Sequence, residues 1–304
     1  MVSAVFHSPS DASDAIRASK ASAKSTPNAM TSQAVTLPAQ APIKNKPAVD
    51  WAGLALTTLA PLAGIGLVIA IWALLTMKST TFPTPLATWD EAVKLFSDPF
   101  YSNGPNDQGL GWNILFSLKR VAMGFGLAAV VGIPMGFLIG RSKIASAMLN
   151  PLISLLRPVS PLAWLPIGLL VFKSADPAAI WTIFICSIWP MIINTAVGVQ
   201  RVPEDYLNVA KVLNLSEWKI VTKILFPSVL PYMLTGVRLS VGTAWLVIVA
   251  AEMLTGGVGI GFWVWDEWNN LNVAHILIAI FVIGIVGLLL EQALVSIAKR
   301  FSFE

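Results

Sequence analysis

Four ionised side chains stand inside or at the edge of long apolar runs of this 304-residue chain, Arg157, Arg238, Glu252 and Glu291, and the first three are the pathway candidates. A charge within a membrane span is costly and usually faces an aqueous path or a partner. Arg157 is the first candidate for an anion contact. Its planar guanidinium matches a planar oxyanion, and the neighbouring Pro158, Pro161 and Pro166 leave backbone groups free. The alternative is that Arg157 snorkels to lipid headgroups. Arg238 and Glu252 lie 14 residues apart, roughly four turns at about 3.6 residues each, so they cannot pair within one helix. Their partners must come from other spans or across a dimer, and Glu252 suits either a pathway role or a structural hydrogen-bonding role. No nucleophile, base and orienting group converge by spacing, there is no phosphate-cradling loop, and His7 and His275 are too far apart to suggest a metal site. The run from Gly256 to Gly261 has the wrong spacing for a dinucleotide fingerprint and follows an apolar run rather than a strand, so it reads as a flexible external turn. Trp263, Trp265 and Trp268 read as interfacial anchors rather than an aromatic box. Asp266 and Glu267 between them read as outward-facing, and an acidic pair suits docking of a soluble receptor better than reception of an anion.

These residues sit in a chain that is 56% hydrophobic and 12% charged, with a mean hydropathy of +0.72, far from the average soluble domain. Six runs approach the roughly 20 residues needed to cross hydrocarbon: 54–77, 121–140, 152–172, 178–199, 239–256 and 276–298. The expected fold is an all-α polytopic membrane protein with six transmembrane helices, the third of them broken by prolines. A domain at 51–304 follows a tail at 1–50 that is rich in Ala, Ser, Pro, Thr and Lys, and the tail reads as disordered. No cleaved secretory signal is expected, because the first apolar run starts beyond residue 50 and is too long. In the loop 78–111, Thr88-Trp-Asp-Glu91 forms a capping-box pattern that should start a short amphipathic helix lying in the interface. Cys186, in the fourth run, reads as a small hydrophobe. The formal charge of +4 fits an inside-positive membrane protein and makes no case for nucleic acid.

Basic residues set the orientation. With both termini in the cytoplasm, the inner side holds Arg141, Lys143, Arg157, Arg201, Lys211, Lys219, Lys223, Lys299, Arg300 and the basic residues of the tail. The outer side holds only Lys78, Lys94, Lys119, Arg120 and Lys173. The polar segment 200–232 is then cytoplasmic. It predicts two short helices around a bend: Pro203, Glu204 and Asp205 start the first, which ends near Leu213. Asn214 takes a left-handed turn, Ser216 caps the second, and Pro227 and Pro231 terminate it.

Within that segment, Asn208-Val209-Ala210, Asn214, Ile224 and Phe226-Pro227 stand at the spacing of the loop that marks inner-membrane permeases of ABC importers. The family pattern is Glu-Ala-Ala, three residues, Gly, nine residues, Ile, one residue, Leu-Pro. Asn208, Val209, Asn214 and Phe226 depart from it, and the absent carboxylate at 208 puts an ion pair there in doubt, with Glu204 one turn earlier. The chain also resembles the branch carrying nitrate, bicarbonate, sulfonates and taurine, through Arg157-Pro-Val-Ser-Pro-Leu-Ala-Trp-Leu-Pro166, Gly242-Thr-Ala-Trp-Leu246 and Ala251-Glu-Met-Leu-Thr-Gly-Gly257. The stretch from Phe262 to Asn272 looks most like nitrate permeases. The resemblance implies a type I ABC importer permease fold, with 200–232 as the loop that docks on a cytoplasmic ATPase through Glu204, Asn208, Val209, Ala210, Asn214, Ile224, Phe226 and Pro227. It also implies a bacterial inner-membrane location, a periplasmic or lipid-anchored substrate-binding protein, a second permease copy, and import of nitrate, nitrite or cyanate. Bicarbonate and alkylsulfonate or taurine are the alternative solutes. No cofactor is expected in the chain, with ATP on the partner. A stand-alone secondary anion transporter and a membrane enzyme are the readings from other classes.

Overall fold

The computed structural model describes residues 51–79, 81–105 and 107–301; the tail reading for 1–50 and His7 lie outside them. A compact unit begins at Thr58, and residues 51–57 belong to a separate one. The elements in order are α1 (Trp51–Thr76), α2 (Pro85–Ser97), α3 (Leu110–Arg141), α4 (Lys143–Leu156), α5 (Pro161–Phe172), α6 (Ala175–Gln200), α7 (Glu204–Val212), α8 (Glu217–Ile220), a π turn (Val221–Leu225), α9 (Phe226–Thr255), α10 (Ile260–Asn269) and α11 (Val273–Phe301). Among the described residues the only β feature is an isolated bridge between Ser102 and Gln108. Among the described residues five helices are long and apolar enough to cross a membrane, and six spans result if the bent pair α4 and α5 counts as one.

Helix α6 is the centre of the bundle, with 61% of its span buried against 6% for α1. It packs on α3, α9 and α5. The α3 contact is close because small residues recur every fourth position, Gly124, Ala128, Gly132, Gly136 and Gly140, so one face of α3 carries no side chain to hold the backbones apart. A Cβ at Gly136 would strike Thr195 and the carbonyl of Ile192 on α6. Helix α1 is apolar all round and exposes Leu59, Leu62, Val68 and Leu75, the pattern of a lipid-facing span.

The third apolar run breaks at its prolines as expected, into two helices meeting at 100°; three other expectations are corrected. Pro158 cannot donate to a continuing ladder, and Pro161 starts α5 anew. The second run starts at Leu110 rather than Val121, so Lys119 and Arg120 belong to a helix and not to a loop. Helix α2 starts at Pro85, where the Thr84 hydroxyl accepts a hydrogen bond from Ala87 N at 3.3 Å, while Thr88 is buried inside the helix. Pro at the first helical position is a stronger start than the downstream capping box. Leu86, Trp89, Val93 and Phe96 form an exposed apolar stripe on α2, and Lys94, 2.8 Å from Glu91, holds that carboxyl below its usual range.

The third correction concerns Pro227 and Pro231. They do not terminate the second helix of 200–232, because α8 runs through the π turn into α9 as a helix of 39 residues from Glu217 to Thr255. Phe226 N bonds to Val221 O, a step of five residues. Pro227 then falls in the first turn of the re-registered helix, where its missing donor is tolerated.

Candidate functional site

The first site is built on α7 and its C-terminal turn. Asn214 has φ 48°, one of the few non-glycine side chains for which that conformation is mild. Leu215 N bonds to Ala210 O at 3.0 Å and Asn214 N to Lys211 O at 3.0 Å, the paired bonds of a Schellman motif with asparagine in the glycine position. Leu215 packs with Ala210 in a cluster that includes Val199, Val202, Ile220, Leu225, Val229 and Met233. The buried side of α7 is therefore keyed into the ends of α6 and α9, and Ala210 is fully buried. Arg141, at the end of α3, reaches Glu217 at 3.2 Å and ties α8 to the same body.

The opposite side of this segment is exposed and apolar: Tyr206, Val209, Val212, Leu213 and Trp218. Charged residues alternate through the same stretch, namely Glu204, Asp205, Lys211, Glu217, Lys219 and Lys223, so this face sits in water and not in lipid. Glu204 and Asn208 line a cavity of about 990 Å³ against the α3–α4 corner, with Arg141, Lys143 and Lys211. Ile224 is half-buried against the α7 cluster, while Phe226 and Pro227 are exposed. Of the family-motif positions, Val209 faces out and Ala210 faces in.

At the other end of the bundle the structure assembles a polar cluster that sequence reasoning missed. Asn113, Ser117 and Arg120 share one face of α3. Arg120 Nη1 donates to Glu252 Oε1 and to Val258 O, both at 2.6 Å, while Nε and Nη2 reach Asp176 Oδ1 at 2.9 and 2.6 Å. Ser117 Oγ lies 2.7 Å from Glu252 Oε2 and accepts from Ile260 N at 2.9 Å. Gly261 N donates to Glu252 Oε2 at 3.0 Å, and Gly259 N to Asn113 Oδ1 at 2.8 Å. Three consecutive backbone donors of the glycine turn are thus satisfied by buried side chains. Glu252 is 1% exposed. The turn is pinned rather than flexible: Gly256 and Gly257 take positive φ, and a Cβ on Gly261 would strike the Val249 carbonyl. The available signal was the spacing of Asn113, Ser117 and Arg120 at helical period in an otherwise apolar run.

The other predicted residues are dispersed. Arg238 pairs with Glu291 of α11. Arg157 is exposed at the α4–α5 bend and makes no side-chain hydrogen bond or ion pair among the described residues. Trp265 and Trp268 are exposed, whereas Trp263 is buried and stacks on His275 at 5.7 Å. Asp266 is exposed, but Glu267 is not outward-facing. Its side chain is 14% exposed and lies 3.0 Å from His275 Nδ1, because α10 folds back onto α11 and turns that face inward. No cluster of His, Cys, Asp and Glu able to hold a metal occurs among the described residues.

Residues 131–302 match the model of the family described as "binding-protein-dependent transport system inner membrane component". The chain belongs to that family. It is a multi-pass membrane permease, the permease subunit of an ABC transporter. It is 48% identical over 233 residues to the nitrate import permease protein NrtB of Synechocystis sp., covering 76% of this chain and 85% of that one. It is 45% identical over 238 residues to the bicarbonate transport system permease protein CmpB of Synechococcus elongatus, covering 77% and 86%. A solved structure of the MetNI methionine ABC transporter in inward-facing conformations superposes with a TM-score of 0.57 at 14% identity, covering 64% of this permease and 96% of that chain. An amino acid ABC transporter with histidines gives 0.50 at 15% identity, covering 70% and 97%. Those two likenesses establish the fold, the type I importer permease fold.

Proposed function

We propose that this permease imports nitrate, or the related nitrite and cyanate, by alternating access driven by a separate cytoplasmic ATPase. The observation that carries the ATPase reading is the exposed apolar face Tyr206, Val209, Val212, Leu213 and Trp218, on a charged segment whose other side is locked into the bundle. A patch of that kind on a water-facing element marks a protein contact. A partner that grips it moves α7 and, through the α8–α9 continuity, a whole span. ATP changes access only insofar as the ATPase binds one permease state more strongly than the other. ATP is held by that partner and no cofactor by this chain. The 200–225 end, with both termini, faces the cytoplasm of a bacterial cell, a reading that the basic residues around it support. A periplasmic or lipid-anchored receptor delivers the anion at the glycine-turn end, and two copies of the chain enclose the path within the lipid bilayer. The identity to NrtB supports nitrate; the nearly equal identity to CmpB keeps bicarbonate as the second reading.

The test is co-expression with the ATPase and receptor, reconstitution, and ATP-dependent uptake of ¹⁵N-nitrate with bicarbonate as competitor. Uptake down an ion gradient without ATPase would overturn the reading in favour of a secondary transporter. Leu213→Asp should reduce ATPase co-purification on the order of tenfold, since tenfold corresponds to only 1.4 kcal/mol of a contact that buries apolar surface; undiminished co-purification would remove this face from the interface. Arg157, exposed where the third span breaks, is assigned to the anion path together with Arg238. Arg157→Gln should abolish uptake while the complex still assembles, and normal uptake would return Arg157 to the headgroup role.

A further inference from the structure

We propose that Arg238 and Glu291 form an anion-exchange site, in which the Glu291 carboxylate occupies the guanidinium between transport events and a planar oxyanion displaces it. The proposal rests on the oxyanion-permease reading and adds to it a second residue and a mode of action. Glu291 lies in α11, whose span has a mean hydropathy of 2.9, the highest of the five. It stands eight residues before Lys299, about 12 Å at 1.5 Å per residue. Arg238 stands one residue before the fifth apolar run, 239–256, inside the continuous helix Glu217–Thr255. Both therefore belong to membrane-spanning helices, yet their side chains are 54% and 47% exposed. Lipid cannot satisfy such groups, so they meet water or protein.

The pair is also unsaturated. Arg238 Nε donates to Glu291 Oε1 at 3.1 Å and Nη2 donates to the same oxygen, while Nη1 and Oε2 make no further hydrogen bond among the described residues. A two-oxygen edge would use the guanidinium fork fully. The pair borders a groove of about 510 Å³ between α9 and α11, with Thr235, Gly242, Thr243 and Gly287 along it. The α9 members recur at helical spacing on one face, and Gly242 leaves open space there, whereas the Trp245 indole packs against Gly287. Nitrate and bicarbonate present the same planar, paired-oxygen edge as a carboxylate. Exchange between that edge and Glu291 keeps Arg238 neutralised at every stage and gives the anion a competitor that returns it to the path. A conducting site has to bind well enough to admit an ion and weakly enough to release it.

The test uses the complete transporter with its ATPase and receptor in proteoliposomes, with ¹⁵N-nitrate uptake and nitrate affinity of the receptor-free complex as readouts. Arg238→Gln should lower uptake at least about tenfold. Glu291→Gln should tighten nitrate binding about tenfold and slow turnover, because the competitor is gone. The charge-swapped double variant, Arg238→Glu with Glu291→Arg, should regain thermal stability without regaining uptake. Wild-type affinity and turnover in Glu291→Gln beside a dead Arg238→Gln would overturn the exchange role and leave the oxyanion-permease reading standing. Full uptake by the swapped variant would make the pair structural and also overturn the proposal. Failure of the wild-type complex to carry nitrate or bicarbonate would overturn the underlying reading itself.

Discussion

Ala210→Glu is expected to abolish uptake while leaving the permease in the membrane and the ATPase bound. Position 210 is fully buried among Val199, Val202, Ile220, Leu225, Val229 and Met233. A carboxylate there has no partner, and an isolated buried charge is far costlier than the packing of one short helix can offset. Helix α7 must therefore leave the ends of α6 and α9. The outward face with Val209, Val212 and Leu213 is not consumed by that undocking, so ATPase contact survives while the mechanical link is cut. Reconstituted complex should hydrolyse ATP with uptake below a tenth of normal, a loss of more than about 1.4 kcal/mol in coupling. Ala210→Gly, which leaves no buried charge, should retain most uptake. Normal nitrate uptake by Ala210→Glu would show that α7 transmits nothing.

Glu252→Ala should be the most destabilising single change in the bundle. It leaves the buried Arg120 guanidinium with the exposed Asp176 carboxylate and the Val258 carbonyl, and removes the acceptor for Gly261 N. Breaking a buried pair by removing one member costs about 3–5 kcal/mol, on the order of 10 °C in Tm for a chain of this size. Removing both charges, in Arg120→Met with Glu252→Leu, should not rescue stability, because Val258 O and the Gly261 donor still lose their partners. Glu252→Gln keeps an acceptor and should lose less than Glu252→Ala. Tryptophan-fluorescence melting of detergent-solubilised protein checks the series, and an unchanged Tm in Glu252→Ala would refute the assignment of this cluster as the clamp on the glycine turn.

The two ends of the molecule differ in how legible they were. At the 200–225 end, the start of α7 near Pro203, its end near Leu213 and the left-handed Asn214 follow from local chain chemistry: first-turn carboxylates, tolerance of positive φ, and the bonds of the next few residues. The second half of the same segment was misread because a proline was taken as a stop. A π turn shifts the ladder by one residue and lets Pro227 sit in a first turn. At the glycine-turn end the residues were visible but their meaning was not. Glu252 reads from sequence as either a pathway residue or a structural hydrogen-bonding group, and Gly256–Gly261 as a flexible turn; the structure bonds the two to each other.

By itself the sequence determined the approximate places of the apolar runs, the break near Pro158 and Pro161, the start of the polar segment and the membership of a transport family, because hydropathy, backbone tolerance and motif spacing act over a few to about twenty residues. Only the tertiary structure decided which charges meet. Arg120 finds Glu252 132 residues away, and Arg238 finds Glu291 53 residues away. In a bundle, partners are chosen by which helix faces pack together, and no local pattern encodes that. The same packing decided that Ala210 faces inward, that Val209 faces outward, and that Glu267 turns back onto His275.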